Sequence, residues 1–240
     1  MRHHQIFISL IIFALLVNFA CSSSSGSFRG DKEKTENTAL VSSEKIVRDL
    51  YSALDIRSVN KTEFIFDEQG KLSGYRKLSD AEFNQKGYQT GFITYDEDSF
   101  PEYTFAYEYN KDGRRLKSNC FLGQKLIRYY KYLYDDYGFR LKTECFNQDG
   151  FLIEYYIYEY DDEGRLINEK WFDKNGKIFQ RVEYEYDGFK KNIIRTFDGN
   201  NDLIYRYEMK YDNNNLLIEE LKFDDSGRNV GVIQYIYKYR

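Results

Sequence analysis

Histidine is almost missing from this chain: of 240 residues only His3 and His4 are histidine, and both precede the apolar run that opens the sequence. If that end is removed on export, no Ser-His-Asp or Cys-His nucleophile, histidine-ligated zinc or histidine pH switch remains. Proline occurs once (Pro101), tryptophan once (Trp171) and cysteine three times (Cys21, Cys120, Cys145). Neither sign of charge dominates, since 35 Lys and Arg against 39 Asp and Glu leave −4, which gives no ground for a nucleic-acid partner. Phosphate loops, zinc spacings and nucleophile elbows are absent. Carboxylates are plentiful but recur at turn positions rather than forming one constellation. The chain is therefore expected to be non-catalytic, with no cofactor and no metal.

What is present is aromatic surface. Twenty-four Tyr and 19 Phe bring the aromatic share to 18%, too much apolar area for a disordered chain. Mean hydropathy is nevertheless −0.70, and charges fall on both faces of the strands inferred below, so an outer-membrane barrel with a lipid-facing band is not expected.

The amino terminus reads as an export signal. Arg2 precedes the apolar run Ile6 to Val17, which is too short to span a bilayer comfortably. The run gives way to Asn18-Phe19-Ala20-Cys21 and then a Ser-rich stretch. This resembles a bacterial lipoprotein signal, with residues 1–20 cut away and a diacylglycerol carried on Cys21. Asn18 and Phe19 depart from the usual lipobox. The tether, 21–42, is polar and without period; its Arg29-Gly30-Asp31 tripeptide is short enough to arise by chance. Ile46, Val47, Leu50, Tyr51 and Leu54 then fall at helical spacing behind Ser43, predicting an amphipathic helix over 43–57.

From about residue 62 to 240 the chain repeats itself. Tyr107/Tyr109, Tyr132/Tyr134, Tyr158/Tyr160, Tyr184/Tyr186, Met209/Tyr211 and Tyr235/Tyr237 recur at steps of 25 or 26 residues. Phe146, Phe172, Phe197 and Phe223 mark the midpoints, so the half-period is near 13. Seven (Asp/Asn)-x-x-Gly boxes, from Asp67–Gly70 to Asp224–Gly227, lie between the markers. Asp or Asn opens a type I turn through its own backbone and Gly takes the left-handed residue that closes it. The spacing does not match a calcium-binding EF-hand loop. The expected fold is all-β: an extended antiparallel β-meander of about 12–14 hairpin strands, preceded by one amphipathic helix. A stacked β-solenoid is the alternative. A solenoid would set Cys120 and Cys145 on adjacent strands within disulfide reach, whereas a meander places them two strands apart as unpaired thiols.

The run Tyr158-Glu159-Tyr160-Asp161-Asp162-Glu163-Gly164-Arg165-Leu166 resembles the YD repeats of Rhs-type proteins, and Tyr107 to Leu116 matches with one insertion. Large members wrap these repeats into a shell around a toxin. This chain has too few units for such a shell and no toxin segment, so the resemblance implies the hairpin array alone, as in short YD-repeat lipoproteins.

The resulting expectation is a membrane-tethered lipoprotein of the bacterial cell envelope, in the outer rather than the inner membrane, whose sheet binds a protein or glycan. The candidate surface is the set of tyrosine rows: Tyr107, Tyr109, Tyr132, Tyr134, Tyr158, Tyr160, Tyr184 and Tyr186. The same rows also read as core. A structural scaffold without a dedicated ligand is the alternative function.

Overall fold

The computed structural model describes residues 43–240. The signal (1–20), Cys21 and the tether to residue 42 lie outside the described residues. Turn chemistry sets the architecture. At Asp161 the backbone amide donates to Arg165 O and the Gly164 amide to Asp161 O, each at 3.0 Å. The Asp161 carboxylate meanwhile accepts from the amides of Glu163 and Arg165 at 3.0 and 2.8 Å. The same backbone bonding recurs at all seven boxes read from the sequence. It also occurs at four more reversals, opened by Asn84, Asp96, Asp198 and Asp212. In the last three, Ser99 (φ 65°), Asn201 (φ 73°) and Asn215 (φ 63°) hold the left-handed position that glycine fills elsewhere.

Helix α1 (Ser43–Ala53) precedes β1 (Ile56–Phe66), β2 (Leu72–Phe83), β3 (Gln89–Tyr95), β4 (Pro101–Tyr109) and β5 (Arg115–Leu122). Then follow β6 (Lys125–Tyr134), β7 (Arg140–Asn147), β8 (Leu152–Tyr160), β9 (Leu166–Asp173) and β10 (Ile178–Asp187). β11 (Lys190–Asp198), β12 (Leu203–Tyr211), β13 (Leu217–Phe223) and β14 (Asn229–Tyr239) end the chain. The helix stops short of residue 57 because Asp55 turns left-handed (φ 53°), and Ile56, fully buried, already begins a strand. The sheet therefore starts at 56 rather than 62.

Every strand pairs antiparallel with its sequence neighbours, as a meander requires. The ribbon is not open, however. β14 pairs with β1 from Ile56↔Tyr239 to Ile65↔Gly231, giving a closed 14-strand barrel. Regular bulges supply the curl: pairing slips between Glu108 and Tyr109, Leu133 and Tyr134, and Glu159 and Tyr160. Each such slip bends its strand and adds twist, and closure removes both exposed edges. The units too few for a toxin shell thus suffice for a small barrel. Its interior is packed with side chains from the tyrosine face. Cys120 on β5 and Cys145 on β7 sit with β6 between them, both free and fully buried. Burial pushes their thiols up to about 11 and about 12.

Candidate functional site

All eight tyrosines singled out by the repeat lie on the inner wall, so they do not form the binding face expected of them on an open sheet. In three of the four pairs the first tyrosine is buried and bonds a side chain on the preceding strand. Ser118 and Tyr132 hydroxyls lie 2.7 Å apart, those of Thr143 and Tyr158 3.0 Å, and Tyr184 donates to Glu169 at 2.7 Å. The second tyrosine staples strands through the main chain. Tyr109, Tyr160 and Tyr186 donate to the carbonyls of Gln89, Arg140 and Leu166 at 2.9, 3.0 and 2.8 Å. Tyr107 lies against the Arg115 guanidinium (4.2 Å), and Tyr134 packs on the core. The rings are the core because closing the sheet turns their face inward.

The outer wall carries the other set. Tyr129 stacks on Phe146 (5.2 Å, 15°) and Tyr155 on Phe172 (4.8 Å, 5°). Beside them run ion pairs such as Lys142–Glu144 (2.7 Å) and Lys210–Glu219 (3.0 Å).

One end of the barrel is capped by α1. Its apolar stripe, Val47, Leu50 and Tyr51, is buried, with Tyr51 edge-on to Phe83 at 4.8 Å and near Tyr237 at 6.1 Å. Arg48 donates to Gly113 O (3.3 Å) and Ser52 to Gln85 O (2.8 Å), seating the helix on two turns. Glycine is needed twice here. Gly87 and Gly113 are left-handed (φ 73° and 78°), and a Cβ would overlap the Arg48 carbonyl at Gly87 and the Tyr88 hydroxyl at Gly113.

Beside the helix lies a cavity of about 110 Å³. Three guanidinium groups border it, Arg48 from α1, Arg115 from β5 and Arg140 from β7, together with the carboxylates of Glu44 and Glu169. Tyr88, Tyr109, Tyr158 and Tyr160 supply ring surface. Arg115 donates to Gln89 Oε1 at 2.9 Å and to the Tyr109 hydroxyl at 3.4 Å. Arg140, 8% exposed, pairs through Nη2 with Glu44 and lies over the rings of Tyr132 (4.8 Å) and Tyr158 (5.3 Å). Behind the cavity Glu169 accepts from Tyr184 and, at 3.3 Å, from Trp171 Nε1. Burial raises its carboxyl above the usual range, with those donors and Lys191 opposing. Lys191, 2% exposed, has no hydrogen-bond partner for Nζ, which sits 3.8 Å from the Tyr184 ring centre. Burial lowers its ammonium to about 7 against the pull of Glu169 and Glu220.

None of these charged residues was singled out from the sequence. The signal lies two residues after the left-handed turn residue, where Gln89, Arg115, Arg140, Leu166 and Leu217 stand, with Lys191 at the same place after a shorter turn. Among the described residues no group of three or more His, Cys, Asp or Glu could hold a metal ion, and no helix is long and apolar enough to cross a membrane.

No family model matches the chain, and no curated protein matches it. Solved structures with a similar strand arrangement include a porin-like protein from Bacteroides uniformis, at 12% identity and TM-score 0.44, covering 77% of this chain and 97% of that one. A DUF1329 family protein from Desulfovibrio piger follows at 10% identity and TM-score 0.31, covering 83% and 94%. The Photorhabdus luminescens Tc holotoxin pore matches at 14% identity and TM-score 0.30; this chain aligns over 75% of its own length and only 11% of that chain. Likenesses at these scores transfer no function.

Proposed function

We propose that this chain is a non-catalytic, lipid-tethered protein of the bacterial cell envelope, akin to short YD-repeat lipoproteins, that takes a glycan or protein group at the helix-capped mouth of its barrel. The observation that carries the binding role is the cavity beside α1, where three guanidinium groups converge among tyrosine rings. The tether rests on Arg2, the apolar run to Val17 and Cys21 with its Ser-rich sequel. The outer wall supports attachment over insertion. Its ion pairs would face lipid in a spanning barrel, where each cation near the midplane costs roughly 2–4 kcal/mol.

Two measurements test the two halves. Labelled palmitate is expected to enter the wild type and not Cys21→Ala; equal labelling overturns the anchor. Glycan arrays and envelope extracts are expected to yield a partner whose capture drops in Arg48→Ala/Arg115→Met. Blank screens with the processed wild type, or capture indifferent to that double variant, overturn the mouth as binding site.

A further inference from the structure

The geometry points to the carboxylate of an acidic sugar as the group that enters the mouth, where it displaces Glu44 from Arg140; this rests on the binding reading above. The Arg140 guanidinium lies 4.8 Å from the Tyr132 ring centre and 5.3 Å from that of Tyr158, and the residue is 8% exposed. A guanidinium offers a carboxylate a two-pronged edge formed by Nε and Nη2. Here Nη2 is taken by Glu44, while Nε is buried and has no hydrogen-bond acceptor among the described residues. The fork is half used. A free carboxylate that engages both prongs forms one more charge-assisted hydrogen bond than Glu44 does.

Glu44 is suited to give way. Its side chain is 45% exposed, against 8% for Arg140, so water readily receives it when it swings out. Once it leaves, Arg140 has lost its carboxylate partner, and Glu169 is the carboxylate that remains in the cavity lining. Glu169 is already engaged by Tyr184 and Trp171, and burial favours its neutral form. The local field therefore asks for one negative charge. The body attached to that charge meets Tyr88, Tyr109, Tyr158 and Tyr160, whose faces suit the C–H surface of a pyranose, with Gln89 at the cavity wall for hydroxyls. The cavity is backed by the Glu169–Trp171–Tyr184 cluster and is small. It fits a terminal or branching acidic sugar better than an extended peptide. Glu44 thus acts as an internal stand-in for the ligand, and α1 as its holder.

Trp171, the single tryptophan, donates to Glu169 at the cavity wall and reports occupancy through its emission. The probes are glucuronate, glucose and N-acetylglutamate, titrated by Trp171 fluorescence and calorimetry into wild type, Glu44→Gln and Arg140→Lys. Thermal melts establish that each variant is folded. Glucuronate is expected to bind and glucose not. Glu44→Gln should tighten glucuronate about fivefold by removing the competing carboxylate. Arg140→Lys, which keeps the charge and loses the fork, should weaken it at least tenfold. Equal binding of glucose and glucuronate, with Glu44→Gln changing neither, overturns the carboxylate while leaving the mouth a binding site. Tighter binding of N-acetylglutamate than of glucuronate overturns the sugar. Capture from glycan arrays without any response to glucuronate overturns this inference alone, whereas blank screens remove the broader reading with it.

Discussion

Replacing Lys191 with Met tests the polar interior most directly. The side chain is 2% exposed and its ammonium has no hydrogen-bond acceptor, so folding strips it of water with the carboxylates of Glu169 and Glu220 and the face of the Tyr184 ring in return. Burial wins, and the group titrates at about 7 in the folded protein against 10.5 unfolded. Between those values the unfolded chain binds the extra proton, so stability from this group is lowest below pH 7 and recovers as pH rises toward 10.5. The slope approaches about 1.4 kcal/mol per pH unit, and the whole span is roughly 5 kcal/mol at most. Lys191→Met removes the titration. Urea unfolding from pH 6 to 9.5 should therefore show the variant gaining most over the wild type near pH 6, with the gap closing toward pH 9.5. In a Glu169→Gln background the larger of the two attractions holding the proton is gone, so the window should extend below pH 7. Parallel stability curves for wild type and Lys191→Met between pH 7 and 9.5 would refute the reasoning.

The other expectations follow from single contacts. Gly87→Ala and Gly70→Ala share the same left-handed strain, φ 73° and 74°, but only at Gly87 does a Cβ strike α1. Gly70→Ala should cost about 1–2 kcal/mol and Gly87→Ala clearly more, with faster protease cleavage in residues 43–53; equal costs in thermal melts would separate the helix from the turn. Glu63, 4% exposed, joins Arg76 on β2 to Lys222 on β13 at 2.7 Å each, across the closing seam. Burial opposes its ionisation, yet the two cations outweigh burial and hold the carboxyl below its usual value. Its contribution is therefore present above about pH 4.5 and lost as pH falls through the lower folded value. Glu63→Gln should cost roughly 3–5 kcal/mol at pH 7 and flatten the acid limb of the stability curve; an unchanged limb argues against the pairing. Cys120 and Cys145, fully buried with raised thiol pKa values, should react with a thiol reagent at pH 8 only as fast as the barrel unfolds. Quick native labelling would show that the interior is open.

Strand order was legible because the chain states it locally. Each Asp or Asn box commits its own four residues to a reversal, and the beat of 13 needs no long-range information. Of the reversals outside the seven boxes, three use Ser99, Asn201 and Asn215 where glycine is the usual choice, two are tight turns at Gly123 and Gly188, and Asn84–Gly87 is an ordinary box between less regular strands. Closure was not legible. The pairing of Ile56 with Tyr239 depends on curl accumulated over fourteen strands, a property of the bulges taken together and of no single segment. The mouth was hidden for the same reason. Arg48 and Glu44 come from the helix, and Arg115, Arg140 and Glu169 from three different strands, so only the closed barrel makes them neighbours.

The composition follows from the circumference. Side chains of ordinary size fill a barrel of about eight strands, and wider ones leave a lumen. Fourteen strands therefore call for long inward groups, and tyrosine, arginine and lysine have the reach that valine and leucine lack. Length brings a polar tip, and each tip then needs a partner inside. Tyr109, Tyr160, Tyr186, Tyr211 and Tyr237 meet that need by bonding a carbonyl on the strand before, which turns a filler into a cross-strand staple. Glu63, Glu169 and Glu220 meet it for the buried cations and tyrosine hydroxyls around them. Toward the rim the filling leaves a gap. In the row Gln89, Arg115, Arg140, Leu166, Lys191, Leu217 the shortest members are the two leucines, and the cavity lies against one of them, Leu166. The gap beside α1 is thus where the rule that fills the barrel is broken, and charged tips from the helix and the strands line it together with rings of the tyrosine rows.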